Sequence, residues 1–90
     1  MFVKLKERVI ETLKRYPKPI RENIFNHISM LGEPYDAPNV ERLLAVGNIY
    51  RMHIDEKYTV IFKIIEESED VHVLDLMTIE QAQMRFGRYY

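Results

Sequence analysis

The sequence has no cysteine, only three glycines and no long apolar run. Without cysteine the chain can form neither a disulfide framework nor a thiolate zinc site, which fits a reducing compartment. No apolar segment approaches the ~18 residues that a membrane-spanning helix requires. The first residues, MFVKLKERV, also lack the apolar core of a signal peptide. We therefore expect a soluble, cytoplasmic protein with no membrane partner.

The sequence also shows no sign of a domain boundary, because no Gly/Ser-rich linker, repeat or shift in composition interrupts the 90 residues. A chain of this length encloses a single core, so we predict one domain spanning residues 1–90. An excess of positive charge is missing as well. Residues 1–31 contain seven Lys and Arg against three Asp and Glu, but residues 32–90 contain six against eleven. This acidic balance argues against tight, general affinity for RNA or DNA.

The residues from Ile49 to Ile65 have the clearest pattern, because two alternating segments meet at Asp55-Glu56. This predicts a β-hairpin with two distinct faces. The apolar face is expected in the core and carries Tyr50, Met52, Ile54, Tyr58, Val60, Phe62 and Ile64. The mixed face is expected to be open to water and carries Ile49, Arg51, His53, Lys57, Thr59, Ile61 and Lys63. Any chemistry is expected on this second face.

The residues before the hairpin predict a short strand, Phe2 to Leu5, and two amphipathic helices. The first helix covers Lys6 to Tyr16, and the second runs from Pro19 to Leu31 and ends at a glycine. A Pro-Lys-Pro segment between them ends one helix and begins the next, so the two fold back as a hairpin. A single helical turn is predicted from Val40 to Leu44.

The residues after the hairpin predict a tight charged turn, a third strand and a last helix. The turn, Glu66 to Asp70, lacks the ligand spacing of a calcium loop, so a solvated turn is preferred. The strand covers Val71 to Met77. The helix runs from Thr78 to Phe86, and its first residue forms a capping box with Gln81. No motif predicts a cofactor or a metal ion, and the tail Arg88-Tyr89-Tyr90 receives no assignment.

Together these elements predict an α+β fold of order β-α-α-β-β-β with a short C-terminal helix. The N-terminal helical hairpin packs on one face of a small antiparallel sheet. Four segments in this order resemble the RelE/ParE superfamily of type II toxins and cover nearly the whole chain. They are LKRYPKPIRENIFNHISML (13–31), NIYRMHI (48–54), EKYTVIFKI (56–64) and VHVLDL (71–76). Family members commonly show a Leu-Lys-x-x-Pro helix end and a Tyr-Arg pair at the start of a strand.

The resemblance implies a toxin made together with a cognate antitoxin that blocks it. RelE-like members bind RNA and cleave mRNA in the ribosomal A site, without a metal or cofactor, by attack of a ribose 2′-hydroxyl on the adjacent phosphate. Members of the ParE branch poison DNA gyrase instead. The resemblance therefore leaves two functions open. One is a metal-independent mRNA endonuclease that inhibits translation, and the other is a non-catalytic gyrase inhibitor or antitoxin-binding module.

Arg51 and His53 fall where RelE-like enzymes place basic residues on their second strand, which here is the first strand of the predicted hairpin. The resemblance implies that Arg51 stabilises the phosphorane and that His53 handles a proton. The sequence departs from the family pattern at two places, and the first of these, together with the acidic charge balance, favours the non-catalytic alternative. Thr59 replaces the arginine of the family, and Met77 to Ala82 replace its basic and tyrosine residues. The antitoxin is expected to cover the open sheet face or the helical hairpin.

Overall fold

Five strands form one sheet in a computed structural model that describes residues 1–43 and 47–87. The strands are β1 (Phe2–Leu5), β2 (Val40–Arg42), β3 (Ile49–Ile54), β4 (Tyr58–Ile65) and β5 (Asp70–Thr78). The helices are α1 (Glu7–Arg15), α2 (Lys18–Ser29) and α3 (Ile79–Phe86). The strand order is β1-β5-β4-β3-β2, with β1 parallel to β5 and every other pair antiparallel. This mixed α+β architecture confirms the predicted class. None of the described helices is long and apolar enough to cross a membrane.

The hairpin of β3 and β4 has the predicted turn and register. Asp55 and Glu56 both have a φ of 55°, and the Lys57 amide donates to the Ile54 carbonyl at 3.1 Å. Two successive residues in the left-handed region make the type I′ turn that matches the twist of paired strands. The predicted apolar face is confirmed, since every member is buried except the half-buried Tyr50.

Helices α1 and α2 cover this apolar face, as predicted. Their buried side chains are Val9 and Leu13 from α1 and Ile24 and Ile28 from α2, joined by Leu31 of the 3₁₀ turn that follows. Each fully buried aliphatic side chain contributes roughly 1.5–3 kcal/mol before chain entropy is subtracted. The helical hairpin therefore anchors one side of the sheet.

The segment after the second helix differs from its prediction. We expected a helical turn from Val40 to Leu44, but Val40–Arg42 is strand β2, antiparallel to β3. The prediction was wrong because three residues are too few to show a periodicity, and the edge of β3 supplies their hydrogen-bond partners. Leu44 itself, like the tail Arg88-Tyr89-Tyr90, lies outside the described residues.

The second face of the sheet is partly covered, which corrects the expectation that it is open. Thr59 is fully buried and Ile61 is 5% exposed. Ile61 belongs to a second apolar cluster with Met77 and Ala82, packed against Leu43, Ile49 and Phe86. Helix α3 crosses this face because its predicted capping box forms and directs the chain back over β4 and β5. The sheet therefore lies between two layers of unequal size.

The free edge of β5 is blocked by side chains. Strand β1 pairs with β5 only as far as Val73. Beyond that point the Leu74 carbonyl accepts from Arg8 Nε at 2.7 Å, and the Leu76 amide donates to Asp75 Oδ1 at 2.9 Å. The capping box satisfies the last amide of the strand. An edge whose polar groups are already paired is a poor template for another strand.

Candidate functional site

Arg51 and His53 lie on the same face of β3, opposite α1 and α2. Alternation along the strand requires this, because Met52 and Ile54 point into the main core and are fully buried. The two side chains are half-buried rather than open. The face was predicted correctly, and the degree of exposure was not.

The guanidinium of Arg51 is held by Glu41, which β2 places directly opposite it. Arg51 Nη2 donates to Glu41 Oε2 at 2.7 Å, a short charge-assisted hydrogen bond. The Arg51 side chain is only 13% exposed, whereas that of Glu41 is 69% exposed. The ion pair fixes the orientation of the guanidinium and offsets part of its charge.

A shallow depression of about 390 Å³ surrounds the two residues. Its remaining walls come from the loop before β2, from Glu41 and from Glu56 of the hairpin turn. Asn39, in that loop, has a φ of 58° and accepts a hydrogen bond from the His53 amide at 3.2 Å. Asn tolerates the left-handed conformation better than most residues. The loop is thus tied to β3 at the histidine.

The pKa of His53 is lowered, first by burial and then by the nearby Arg51 guanidinium, while the Glu41 carboxylate partly opposes the shift. Both causes disfavour the charged imidazolium. At neutral pH the imidazole is therefore neutral and able to accept a proton. A neutral histidine beside an oriented arginine can combine proton transfer with stabilisation of an anion.

The pKa of His53 is expected to lie below its ordinary value of 6.5 in a titration followed by NMR. Glu41→Gln removes the group that raises this pKa and should lower it further. Glu80→Gln is the control, because it removes one negative charge from α3 and should leave the pKa of His53 unchanged. His53→Gln assigns the histidine resonance in the spectrum. A measured pKa at or above 6.5 would contradict the described environment.

Thr59 is the position at which the resemblance to RelE-like toxins implies an arginine. It lies opposite His53 in the register of β3 and β4 and is fully buried. Its Oγ1 is buried and has no hydrogen-bond partner within residues 1–43 and 47–87. This side chain therefore cannot contact a ligand in the depression.

The other described Lys, Arg and His residues lie outside the depression. Lys57 sits 5.5 Å from the centre of the Tyr58 ring, and Lys63 is exposed. His27 Nδ1 lies 2.8 Å from the carbonyl oxygen of Asn23 on α2. His72 Nε2 lies 3.8 Å from Asp70 Oδ2 on β5. Over the described part of the chain, no three His, Asp or Glu side chains converge as metal ligands.

Sequence reasoning missed Glu41, the group that most affects Arg51. The segment from Val40 to Leu43 gives no strand signal, because its order is apolar, charged, charged, apolar and does not alternate. The pairing of Glu41 with Arg51 carries no local signal, because it depends on which strand lies beside β3.

Comparisons with known proteins give a clear result only at the level of structure. No family model and no curated protein matches the sequence. The chain resembles the archaeal RelE-RelB complex from Pyrococcus horikoshii OT3 with a TM-score of 0.73 and 23% identity, covering 86% of this chain and 92% of that one. The chain matches the isolated E. coli RelE toxin with a TM-score of 0.70 and 16% identity, covering 94% of this chain and 97% of that one. It matches the Mycobacterium tuberculosis RelBE2 toxin-antitoxin complex with a TM-score of 0.72 and 14% identity, covering 86% of this chain and 95% of that one. The chain therefore has the RelE-like toxin fold, which confirms the resemblance at the level of the fold.

Proposed function

We propose that the chain is the toxin of a type II toxin-antitoxin pair and inhibits translation by cleaving mRNA on the ribosome. The observation that carries this proposal is the pair of Arg51 and His53 on the sheet face opposite α1 and α2. Arg51 has a fixed orientation, and burial keeps His53 neutral. The RelE-like fold supports the same function.

In this reaction His53 takes the proton of a ribose 2′-hydroxyl, whose oxygen attacks the adjacent phosphorus. The new bond joins the 2′-oxygen to phosphorus, and the bond from phosphorus to the 5′-oxygen of the next nucleotide breaks. Arg51 donates hydrogen bonds to the phosphate oxygens, where negative charge grows in the transition state. Water supplies the proton to the leaving 5′-oxygen, and the hydroxide that this leaves takes the proton from the His53 imidazolium. The products are a 2′,3′-cyclic phosphate and a 5′-hydroxyl.

The proposal is tested by adding the purified protein to ribosomes programmed with a defined message and mapping the cuts by primer extension. Cuts within the ribosome-bound codon are expected, with none in the same RNA without ribosomes. Expression without antitoxin should also arrest growth. A ribosome-bound message left whole by the wild-type protein would refute the cleavage.

A second function, a non-catalytic toxin or an antitoxin-binding module, is favoured by two specific observations. Glu41 already forms an ion pair with the guanidinium of Arg51. Thr59 is buried at the position where the resemblance implies an arginine. A ParE-like gyrase inhibitor belongs to this class. Growth arrest that persists in the Arg51→Ala, His53→Ala double variant would identify it.

We also infer a cognate antitoxin as partner, bound to the helical hairpin. A largely apolar groove of about 490 Å³ lies between α1 and α2, lined by Leu5, Ile10, Leu13 and Phe25. Phe25 is 52% exposed and Ile10 is 39% exposed. Clustered apolar exposure of this kind marks interaction surfaces, and an amphipathic helix fits such a groove. The sheet face is the less suitable surface, because α3 already covers its centre.

Phe25→Ser is expected to weaken antitoxin binding about 10- to 100-fold, since aromatic anchors carry much of the binding energy at interfaces. Binding of the purified antitoxin can be measured by calorimetry. Met30→Ser is the matched control, because Met30 is 46% exposed and lies outside the groove. Equal affinities for the wild type and Phe25→Ser would exclude this surface.

A further inference from the structure

A second cleft, of about 620 Å³, opens between the C-terminal end of α1, the end of β5 and α3. It shares no lining residue with the depression at Arg51. Thr12 and Arg15 line one wall, and Met84 and Arg85 line the other. Its volume is within the range of small-ligand sites. Nothing in the proposed cleavage reaction uses it.

The cleft has more positive than negative charge. Among the described residues of its lining, Asp75 alone is acidic, and it accepts a hydrogen bond from Arg85 Nη1 at 3.0 Å. Arg15 forms no ion pair with any described residue. Within residues 1–43 and 47–87 no acidic group offsets the Arg15 charge, and the Asp75 contact fixes Arg85 on the facing wall. Two guanidinium groups facing one space suit a phosphate, which arginine binds through parallel hydrogen bonds.

The same cleft has an apolar part beside the arginines. Met84 is 84% exposed on α3, while Leu76 and Met77 of β5 lie deeper in the lining. A flexible thioether exposed to this degree packs readily against a planar ring. An apolar surface next to a phosphate-binding pair matches a nucleotide, whose base and phosphate need those two environments.

We propose that this cleft binds a phosphate and the adjacent base of a single-stranded RNA, with Arg15 and Arg85 on the phosphate and Met84 against the base. This inference rests on the proposed function, because it gives the toxin a second contact with RNA away from the reacting phosphate. Arg8 lies on the same α1 face as Thr12 and Arg15, but its Nε is committed to the Leu74 carbonyl.

The test measures the affinity of a fluorescent 2′-O-methyl RNA oligonucleotide by anisotropy over a series of salt concentrations. The methyl groups block cleavage, so binding is read independently of catalysis. Arg15→Gln is expected to weaken binding about 10-fold and to reduce the slope of log K against log salt by about 1. Met84→Ser should weaken binding with the slope unchanged.

Lys18→Gln is the matched control, since it removes one positive charge from an exposed site outside the cleft. It should change the affinity less than about 2-fold. Arg85→Gln should weaken RNA binding as much as Arg15→Gln does. Its thermal unfolding is also measured, because this substitution removes the ion-pair partner of Asp75. Equal losses in Arg15→Gln and Lys18→Gln would overturn the proposal in favour of diffuse attraction.

Unchanged RNA affinity in Arg15→Gln would also overturn the proposal. If the same variant lost affinity for the antitoxin, the cleft would instead be a protein-binding site. Failure of the proposed function has a different signature. In that case the ribosome-bound message stays whole with wild-type protein, while the difference between Arg15→Gln and Lys18→Gln persists. If the protein cleaves mRNA but its RNA affinity is unchanged in Arg15→Gln and Arg85→Gln, the proposal for the cleft is refuted and the proposed function is not.

Discussion

Replacing Arg51 or His53 by alanine is expected to reduce ribosome-dependent mRNA cleavage by at least about 100-fold. Loss of His53 removes the group that accepts the 2′-hydroxyl proton, and loss of Arg51 removes the charge that stabilises the phosphorane. The rate is measured in single-turnover reactions on programmed ribosomes. Because the two groups act on one transition state, the double variant should be little slower than the slower single variant.

Three further substitutions separate the catalytic role of Arg51 from simple charge and from its ion pair with Glu41. Arg51→Lys keeps the charge but loses the planar fork, so an intermediate rate is expected. Lys63→Ala removes an exposed cation from the same face of the sheet and should cleave normally. Glu41→Gln releases Arg51 from its ion pair and reports whether that bond limits the reaction. A double variant that cleaves at the wild-type rate would exclude both residues from the chemistry.

Thr59→Arg, which introduces the arginine that the resemblance implies at this position, is expected to destabilise the protein by about 3 kcal/mol or more. The Thr59 side chain is fully buried, so a guanidinium there must lose its water or displace the layer above it. Stability is measured by urea unfolding. We expect a large fall in the transition midpoint and partial release of α3.

Thr59→Val supplies the opposite comparison at the same position. It removes the buried hydroxyl that has no hydrogen-bond partner in residues 1–43 and 47–87, and should raise the free energy of unfolding by about 1 kcal/mol. If Thr59→Arg instead left stability unchanged and made an inactive wild-type chain cleave RNA, a lapsed nuclease would be the better description.

The sequence predicted those parts of the fold whose cause is local. Alternation from Ile49 to Ile65 defined the hairpin and its core face, because burial requires a side-chain period of two residues. The proline-bounded helices and the capping box at Thr78 followed from backbone chemistry within a few residues. These elements required no knowledge of their neighbours in space.

The candidate site was harder to predict because its environment comes from distant segments. The alternation correctly placed Arg51 and His53 on one face. Their burial depends on β2, which is too short for a pattern, and on the loop that precedes it. The cover over Thr59 comes from α3, whose amphipathic sequence indicates that one side is buried but not which surface it meets.

The parallel pairing of β1 with β5 has a consequence for synthesis. Phe2 lies opposite Asp70, so β1 cannot pair until β5 has been synthesised. Contacts of such large sequence separation form late and slowly. The sheet and the layers on it are therefore completed only after β5 has left the ribosome. The activity that we propose for the folded protein can begin only after that step.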